Sequence, residues 1–373
     1  MAILIDPPAW PAHGTLWSHL VSNADYTELH AFAARLGLPR RGFDLDHYDV
    51  PAARYADAVA AGARPVTAKD VVHELRAAGL RVRQRDRDAV APLRRREYLA
   101  GEWASLGARL GITAGSGTVT DGAAESAATP ADAWRRLGDD LLGRWGEAHR
   151  RYHDARHLED VLLALDMLGT RGERIAPETL LAAWFHDAVY AGAGSRSQAD
   201  GTGTGDARAD GTGAGAETAP GADERASARL AAASLGSLGI DPELAQRVAA
   251  HIEATAPGHA EATAPGHAEA TAPGHAEAAP AAPERALLLD ADLAIFGASP
   301  SRYAEYAAAV REEYAHVPDA DFAAGRAAIL AGYLARPAIY RTAAAQGLWE
   351  ARARENVGAE IARLERSRDA ERA

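Results

Sequence analysis

The sequence predicts two domains of different class: a small α/β domain at residues 1–106 and an all-α helical bundle at 131–370, joined by a flexible linker at 107–130. A short apolar run opens the first part and segments with helical apolar spacing follow it, a mixture typical of an α/β unit. From residue 131 onward nearly every segment has helical spacing, and strand signals are absent. The length of 373 residues suffices for two domains, each with its own core.

The N-terminal domain begins with AILID at residues 2–6, an apolar run ended by two prolines, which predicts a strand followed by a turn. Helical spacing covers 25–36 and 66–80. The run RVR at 81–83 is a candidate closing strand, and a further helix is predicted near 94–106. The caps and stops expected for the first two helices are Asp25, Gly37, Thr67 and Gly79.

Helices also account for almost all of the second domain, because apolar residues recur there with the period of an amphipathic helix. The linker before it is rich in Gly, Ser, Thr and Ala, a composition typical of flexible chain. The predicted helices of the bundle are 131–149, 155–168, 177–190, 224–237, 242–254, 300–315, 322–335 and 348–366.

Two low-complexity inserts interrupt the bundle. Residues 191–222 carry few apolar side chains and cannot bury enough surface to order. The second insert, 253–282, contains three copies of EATAPGHA with His259, His267 and His275. The spaced histidines allow a metal-binding interpretation, but an expanded repeat in a loop is the simpler account and the one we prefer.

Composition limits the classes of function. The formal net charge of −12 argues against non-specific binding of nucleic acid through the whole surface. Cysteine is absent, so metal ligands must come from the 14 histidines and the carboxylates. No apolar run is long enough to span a bilayer, and the N-terminus has no basic region or signal-like stretch, so we expect a cytoplasmic protein without a membrane partner. Oligomeric state has no sequence signal.

Three strings place His or Asp inside strongly apolar runs: YHDARHLEDV at 152–161, AAWFHDAVY at 182–190 and LLLDADLAIFG at 287–297. A buried imidazole or carboxylate is costly unless a partner satisfies it. A divalent metal could satisfy all these groups together, whereas a structural account needs a separate partner for each. His149, His153 and His157 are spaced by four and would share a face on a helix, so an exposed polar stripe is the alternative for these three.

These strings resemble the HD superfamily of metal-dependent phosphohydrolases, in particular a bacterial subgroup described as predicted HD phosphohydrolases. The resemblance covers roughly 131–366 outside the inserts, and DERASARLA at 223–231 and EARARENVGAEI at 350–361 extend it. It implies an all-α HD-type bundle with a divalent metal ion (Mn, Mg, Fe, Co or Zn) inside. The ligands it implies are His157, His186, Asp187 and Asp292, with Asp290 as the rival for the last position.

Further roles follow from the same resemblance. His153 would act as the general acid, Asp187 would orient the attacking water, and His251 with His259 could hold a second metal. A set of polar residues in the C-terminal strings could bind substrate phosphate, although structural salt bridges are an equally good account of each one. These candidate substrate ligands are Arg311, Arg326, Arg354, Asn356 and Glu224.

The N-terminal domain carries its own polar clusters within ILIDPPAW, HGTLWSHLVS and DHYDVP. Over about 1–85 these strings resemble the uncharacterised DUF4031 family, which offers no activity to transfer. The polar side chains could bind a metal or a phosphate ester, or they could cap turns. The candidates for a site here are Asp6, His13, His19, Asp46, His47 and Asp49.

The expected function is therefore hydrolysis of a small phosphorylated molecule, with a nucleotide as the favoured substrate. Metal-activated water would attack the phosphorus while a histidine protonates the leaving oxygen. One alternative is a non-catalytic nucleotide-binding or regulatory HD module. Another is a nucleic-acid-processing protein guided by the N-terminal domain, which the acidic balance disfavours.

Overall fold

The computed structural model describes residues 1–12, 14–112, 129–191, 221–256 and 283–372. The chain divides into two compact units, Met1–Glu97 and Tyr98–Ala373. Most of the predicted linker, both inserts apart from their edges, His13 and the repeat histidines (His259, His267 and His275) lie outside the described residues.

A five-stranded mixed sheet forms the centre of the first unit. Strand β1 pairs antiparallel with β3 and parallel with β5, while β2 and β4 both pair antiparallel with β3. The strands are β1 (Ile3–Ile5), β2 (Trp10–Ala12), β3 (Thr15–Ser22), β4 (Tyr48–Pro51) and β5 (Arg64–Pro65).

Helices cover both faces of this sheet. Side chains alternate between the two faces along β1, and because all of them are apolar, each face has a core of its own. Ile3 and Ile5 pack in the core that includes helix α1, whereas Leu4 packs with Val71 and Leu75 of helix α3. The small α/β class predicted for this part is thus confirmed. The helices are α1 (Tyr26–Arg35), α2 (Ala52–Ala60) and α3 (Ala68–Ala77).

The predicted closing strand at 81–83 was wrong. The backbone amides there do not bond to a strand. The Arg81 N–H donates to the carbonyl of Leu75 within α3, and the Val82 N–H donates to Asp46 Oδ2. The predicted helix caps are confirmed, since the Asp25 side chain accepts from the Glu28 amide and Thr67 forms a capping box with Asp70.

The second unit is mostly helical, and its described residues form no strand. Its apolar core is one contiguous cluster of buried side chains, and the division from the first unit falls inside α4. No helix among the described residues has the length and apolar character to cross a membrane. The helices are α4 (Arg87–Arg109), α5 (Pro130–Trp145), α6 (Ala155–Thr170), α7 (Pro177–Phe185), α8 (Ala222–Ser237), α9 (Pro242–Glu253), α10 (Pro283–Asp292), α11 (Pro300–Glu313), α12 (Asp319–Ala335), α13 (Ala343–Ala345) and α14 (Ala351–Arg372).

Helix α7 is shorter than predicted, and its early end matters for the site. The pattern predicted a helix to residue 190, but α7 ends at Phe185 and the chain turns through His186 and Asp187. The Arg150 guanidinium donates to the carbonyl oxygens of Asp187 (2.8 Å) and Ala188 (3.3 Å). These bonds hold the turn after the helix, while Trp145 Nε1 and His186 Nδ1 bond the carbonyls of Trp184 and Ala183 at the helix end itself.

Candidate metal centre

Three helix ends bring four of the predicted ligands together inside the bundle. His157 lies in the first turn of α6, His186 and Asp187 directly follow α7, and Asp292 ends α10. His157 Nε2 lies 3.1 Å from His186 Nε2 and 3.2 Å from Asp292 Oδ1. Asp187 Oδ2 lies 3.3 Å from His186 Nε2 and 3.7 Å from His157 Nε2. The arrangement therefore gathers imidazole and carboxylate donors of the kinds that bind divalent cations.

Hydrogen bonds and burial make the imidazoles suitable as ligands. His186 Nδ1 lies 2.8 Å from the Ala183 carbonyl oxygen and donates to it, so the lone pair on Nε2 faces the cluster. His157 Nδ1 is buried and has no hydrogen-bond partner among the described residues. Both side chains are almost inaccessible, with exposed fractions of 2% for His157 and 1% for His186. Buried imidazole nitrogens that meet two carboxylates fit a bound cation, which would satisfy these groups together.

The charges of the cluster also favour a cation. Burial alone would raise the pKa of Asp187, but His186 and the other imidazoles hold it far below its usual value. Burial likewise opposes ionisation of Asp292, yet the bond to His157 and the charge of His186 lower its pKa. His186 is buried, which favours its neutral form, but Asp187 raises its pKa to about 9. Both carboxylates are thus ionised near neutral pH, and either ring protons or a metal ion must balance them.

His153 lies beside this cluster and is held by a glutamate from α11. Its ring centre is 5.6 Å from that of His157, and its Nδ1 lies 2.8 Å from Glu313 Oε2. Burial would lower the pKa of His153, but Glu313 and Asp187 raise it. Since Glu313 occupies the Nδ1 side, Nε2 is the atom at which His153 could exchange a proton with a bound molecule.

Sequence reasoning missed two charged residues that build this region. Glu313 Oε1 accepts from three consecutive backbone amides, those of Arg151, Tyr152 and His153, at 2.8–3.0 Å. Arg150 donates to the His153 carbonyl (2.9 Å) as well as to the turn after α7. No local pattern marks either role, because Glu313 lies 160 residues after His153 in the chain.

Asp290, the rival metal ligand, has a different set of partners. Its carboxylate accepts from the backbone amides of Arg341 and Thr342 and from the Thr342 hydroxyl, each at 2.8 Å. These bonds anchor the chain just before α13, and Asp290 is fully buried there. The structure therefore groups Asp292, and not Asp290, with the two histidines.

Four of the five candidate substrate ligands bond within the bundle itself. Arg311 pairs with Asp319 at the turn between α11 and α12, and Arg326 pairs with buried Glu360. Arg354 donates to the carbonyls of Leu334, Arg336 and Pro337, and Asn356 donates to those of Phe296 and Ala298. These contacts give all four a structural role, which is the alternative that the sequence left open for them.

Of the two remaining predicted residues, Glu224 is close enough to the cluster to feel its charge, whereas His251 is not grouped with it. Glu224, on α8, has a pKa raised by burial and by the negative charges of Asp187 and Asp223, so it lies within electrostatic reach of the centre. His251, on α9, is buried, and its Nδ1 has no partner among the described residues. The structure groups His251 with none of the four ligands, and its proposed companion His259 is outside the described residues.

A second group of histidines and carboxylates lies in the first unit. His19 Nδ1 is 2.9 Å from Asp6 Oδ2, and His47 Nδ1 is 2.7 Å from Asp46 Oδ1. The two imidazole rings meet edge to face with centres 4.8 Å apart, and His47 Nε2 lies 3.5 Å from Asp49 Oδ1. Five of the six residues predicted for a site in this domain are thus brought together.

Comparison with known proteins finds one similarity, in the N-terminal part of the chain. Residues 3–78 match the model of a family described as "Protein of unknown function (DUF4031)". No curated protein and no solved structure matches the chain. The matched range contains the whole sheet of the first unit and its histidine–carboxylate cluster, and it confirms the predicted resemblance of the N-terminal domain to DUF4031.

Proposed function

We propose that the helical unit is a metal-dependent phosphohydrolase of the HD type that acts on a small phosphorylated molecule. The observation that carries the proposal is the convergence of His157, His186, Asp187 and Asp292 from three separate helix ends into one cluster. Both imidazoles are buried, and the carboxylates are 15% and 25% exposed. Packing alone gives no reason to bury two imidazoles against two carboxylates, since each such group must be desolvated. The resemblance of the motifs to HD enzymes supports the same chemistry.

A divalent ion bound by these four residues would lower the pKa of a water molecule and polarise a phosphoryl oxygen. The chain's own residues would supply the remaining steps. Asp187 would orient the attacking water by accepting a hydrogen bond from it. His153 would donate a proton from Nε2 to the leaving oxygen, while Glu313 on the opposite nitrogen holds the ring in place and favours its protonated form.

Arg341 is the best candidate for binding the substrate phosphate, a role that sequence reasoning gave to other arginines. Its Nη1 is buried without a hydrogen-bond partner among the described residues, and it lies 3.9 Å from Asp290 Oδ1. Burial lowers the pKa of Arg341, an effect that the nearby carboxylates Asp290 and Asp292 oppose. The Arg341 side chain is 25% exposed and lies within reach of the charge of Asp292, so its guanidinium is suited to bind a phosphate oxygen. A nucleotide remains the favoured substrate, on the resemblance to HD enzymes.

Three single alanine variants test the proposal. The predicted shared helix face of these histidines was wrong, because His149 and His153 lie in the segment between α5 and α6 and only His157 lies on a helix. Metal content and turnover are measured for His149→Ala, His153→Ala and His157→Ala, with an activated aryl phosphate ester and a panel of nucleotides. His157→Ala should lose the metal. His153→Ala should keep the metal and lose about 10²–10⁴-fold in turnover, with a smaller loss on the aryl ester because its leaving group needs less protonation.

His149→Ala is the matched control, because His149 is half-exposed and its Nε2 lies 2.8 Å from the Tyr190 carbonyl oxygen and 3.8 Å from Glu147 Oε2. It should change neither quantity. Loss of metal from His153→Ala would make that residue a ligand and remove the proposed acid. Metal binding by the wild type without turnover of any phosphate ester would support the regulatory alternative instead.

A further inference from the structure

The three residues His19, His47 and Asp49 lie on one face of the N-terminal sheet because of strand register. His19 in β3 is directly opposite Asp49 in β4, so their side chains point to the same side. His47 lies one residue before β4, and its ring meets that of His19 edge to face with the centres 4.8 Å apart. The donor atoms of all three lie within 4.8 Å of one another.

Each imidazole is oriented by a carboxylate that is itself held in place. Asp6 Oδ2 binds His19 Nδ1, and the same carboxylate accepts from the His19 amide and from Trp10 Nε1. Asp46 Oδ1 binds His47 Nδ1, while its other oxygen accepts from Arg81 and from the Val82 amide. A buried carboxylate on Nδ1 directs the Nε2 lone pair outward, which is the support that metal-binding histidines in proteins have.

From this geometry we propose that the N-terminal domain binds a divalent transition metal through His19 Nε2, His47 Nε2 and the Asp49 carboxylate, at a site separate from the bundle. Two imidazoles and one carboxylate favour ions such as Zn²⁺, Fe²⁺ or Co²⁺ over Ca²⁺ and Mg²⁺. Bonds of about 2.0–2.2 Å to zinc place ligand atoms about 3.4 Å apart, so small side-chain rotations close the present spacing.

The site would keep a position open for water or a substrate. Three protein ligands are one fewer than a closed structural zinc site has. The side chains are also reachable from solvent, with exposed fractions of 25% for His19, 15% for His47 and 44% for Asp49. The inference is independent of the function proposed for the bundle, because none of its residues belongs to that cluster.

Zinc binding by the full-length chain tests the inference. The metal is removed with a chelator, and Zn²⁺ is then titrated into the Asp187→Ala variant, whose bundle centre lacks a ligand. We expect one equivalent bound at the N-terminal site. Adding His47→Gln should abolish it, adding Asp49→Asn should weaken it more than tenfold, and adding Asp46→Asn should weaken it by about 10–100-fold.

His73→Gln is the matched control, since His73 is an exposed histidine of the same unit and belongs to neither group. It should leave the stoichiometry unchanged, and circular dichroism checks that each variant is folded. Asp49→Asn replaces a largely exposed side chain, so it tests the site even where His47→Gln does not fold. When His47→Gln is introduced into the wild-type chain, the total number of zinc ions bound should fall by one. Equal zinc binding before and after Asp49→Asn and His47→Gln would overturn the inference.

Discussion

Replacement of Glu313 by Gln separates the support of His153 from the binding of metal. The carboxylate accepts three backbone amides at Oε1, and its Oε2 bonds the His153 ring and the Tyr190 hydroxyl. Glutamine has nearly the same shape and can keep the amide bonds at its remaining oxygen. What it loses is the negative charge that these donors stabilise.

The lowered pKa of Glu313 gives the size of the stability that the Gln variant should lose. Burial would raise this pKa, but the hydrogen bond and charge of His153, together with the backbone amides, lower it from 4.5 to about 2. The folded state therefore favours the ionised form by about 3 kcal/mol. This contribution is fully present above pH 4.5 and is lost as the pH falls toward 2. Glu313→Gln should lower the free energy of unfolding at pH 7 by about that amount.

Urea unfolding at pH 7 and at fixed metal concentration measures this loss, and Glu312→Gln is the control. Glu312 is the adjacent residue and pairs with Arg151 at the surface, where such a pair contributes about 0–1 kcal/mol. The Glu313 variant should retain its metal, and the pH at which activity declines on the alkaline side should fall because His153 loses the partner that raises its pKa. Equal stability losses for the two variants would refute the reasoning.

Three further predictions concern stability. The pKa of His30 falls to about 4 through burial and the charges of Arg40 and Arg94; the folded state thus binds fewer protons than the unfolded state. Stability should drop by about 3 kcal/mol as the pH falls from 6.5 to 4, and His30→Gln should remove that part of the slope in urea unfolding. In Gly138→Ala a Cβ would lie 2.3 Å from Trp103 Cδ1, so thermal unfolding should show a loss of about 1–3 kcal/mol that the unobstructed control Gly143→Ala lacks. Deletion of residues 195–220 should change the unfolding free energy by no more than about 2 kcal/mol, because closure entropy changes by only about 0.6 kcal/mol for each doubling of the connection's length; a collapse of soluble expression would contradict this.

Local patterns predicted the elements of the fold because apolar periodicity depends on near neighbours. Helix caps were equally local, as at Thr67, whose capping box involves a residue three positions away. The end of α7 carried no such signal. The apolar run continues past His186, and Arg150, which bonds the Asp187 carbonyl in the turn after α7, lies 37 residues earlier. Apolar periodicity cannot predict a helix end that depends on a side chain so far away in the sequence.

The same distinction explains the candidate site. Its histidines and aspartates could be singled out because a polar residue inside an apolar run is unusual wherever it lies. The long arginines could not be assigned in this way, since they occur in helices of every kind and their partners depend on how helices pack. Arg326 pairs with Glu360, 34 residues away, and Arg354 reaches carbonyls at the end of α12. In the first unit, only the register of β3 on β4 brings His19 opposite Asp49.

The segment between α5 and α6 fixes the position of the proposed proton donor, His153, relative to the proposed metal ligand Asp187. Arg150, whose side chain is fully buried, binds the carbonyls of His153 and Asp187 through one guanidinium nitrogen at 2.9 and 2.8 Å. Glu313 binds the amides on the other side of the same segment. A positive group therefore holds the carbonyls and a negative group holds the amides. Since the planar guanidinium has a fixed geometry, the position of the proposed proton donor is set relative to the proposed metal ligand before any substrate binds, which is the preorganisation that acid catalysis at a metal centre requires.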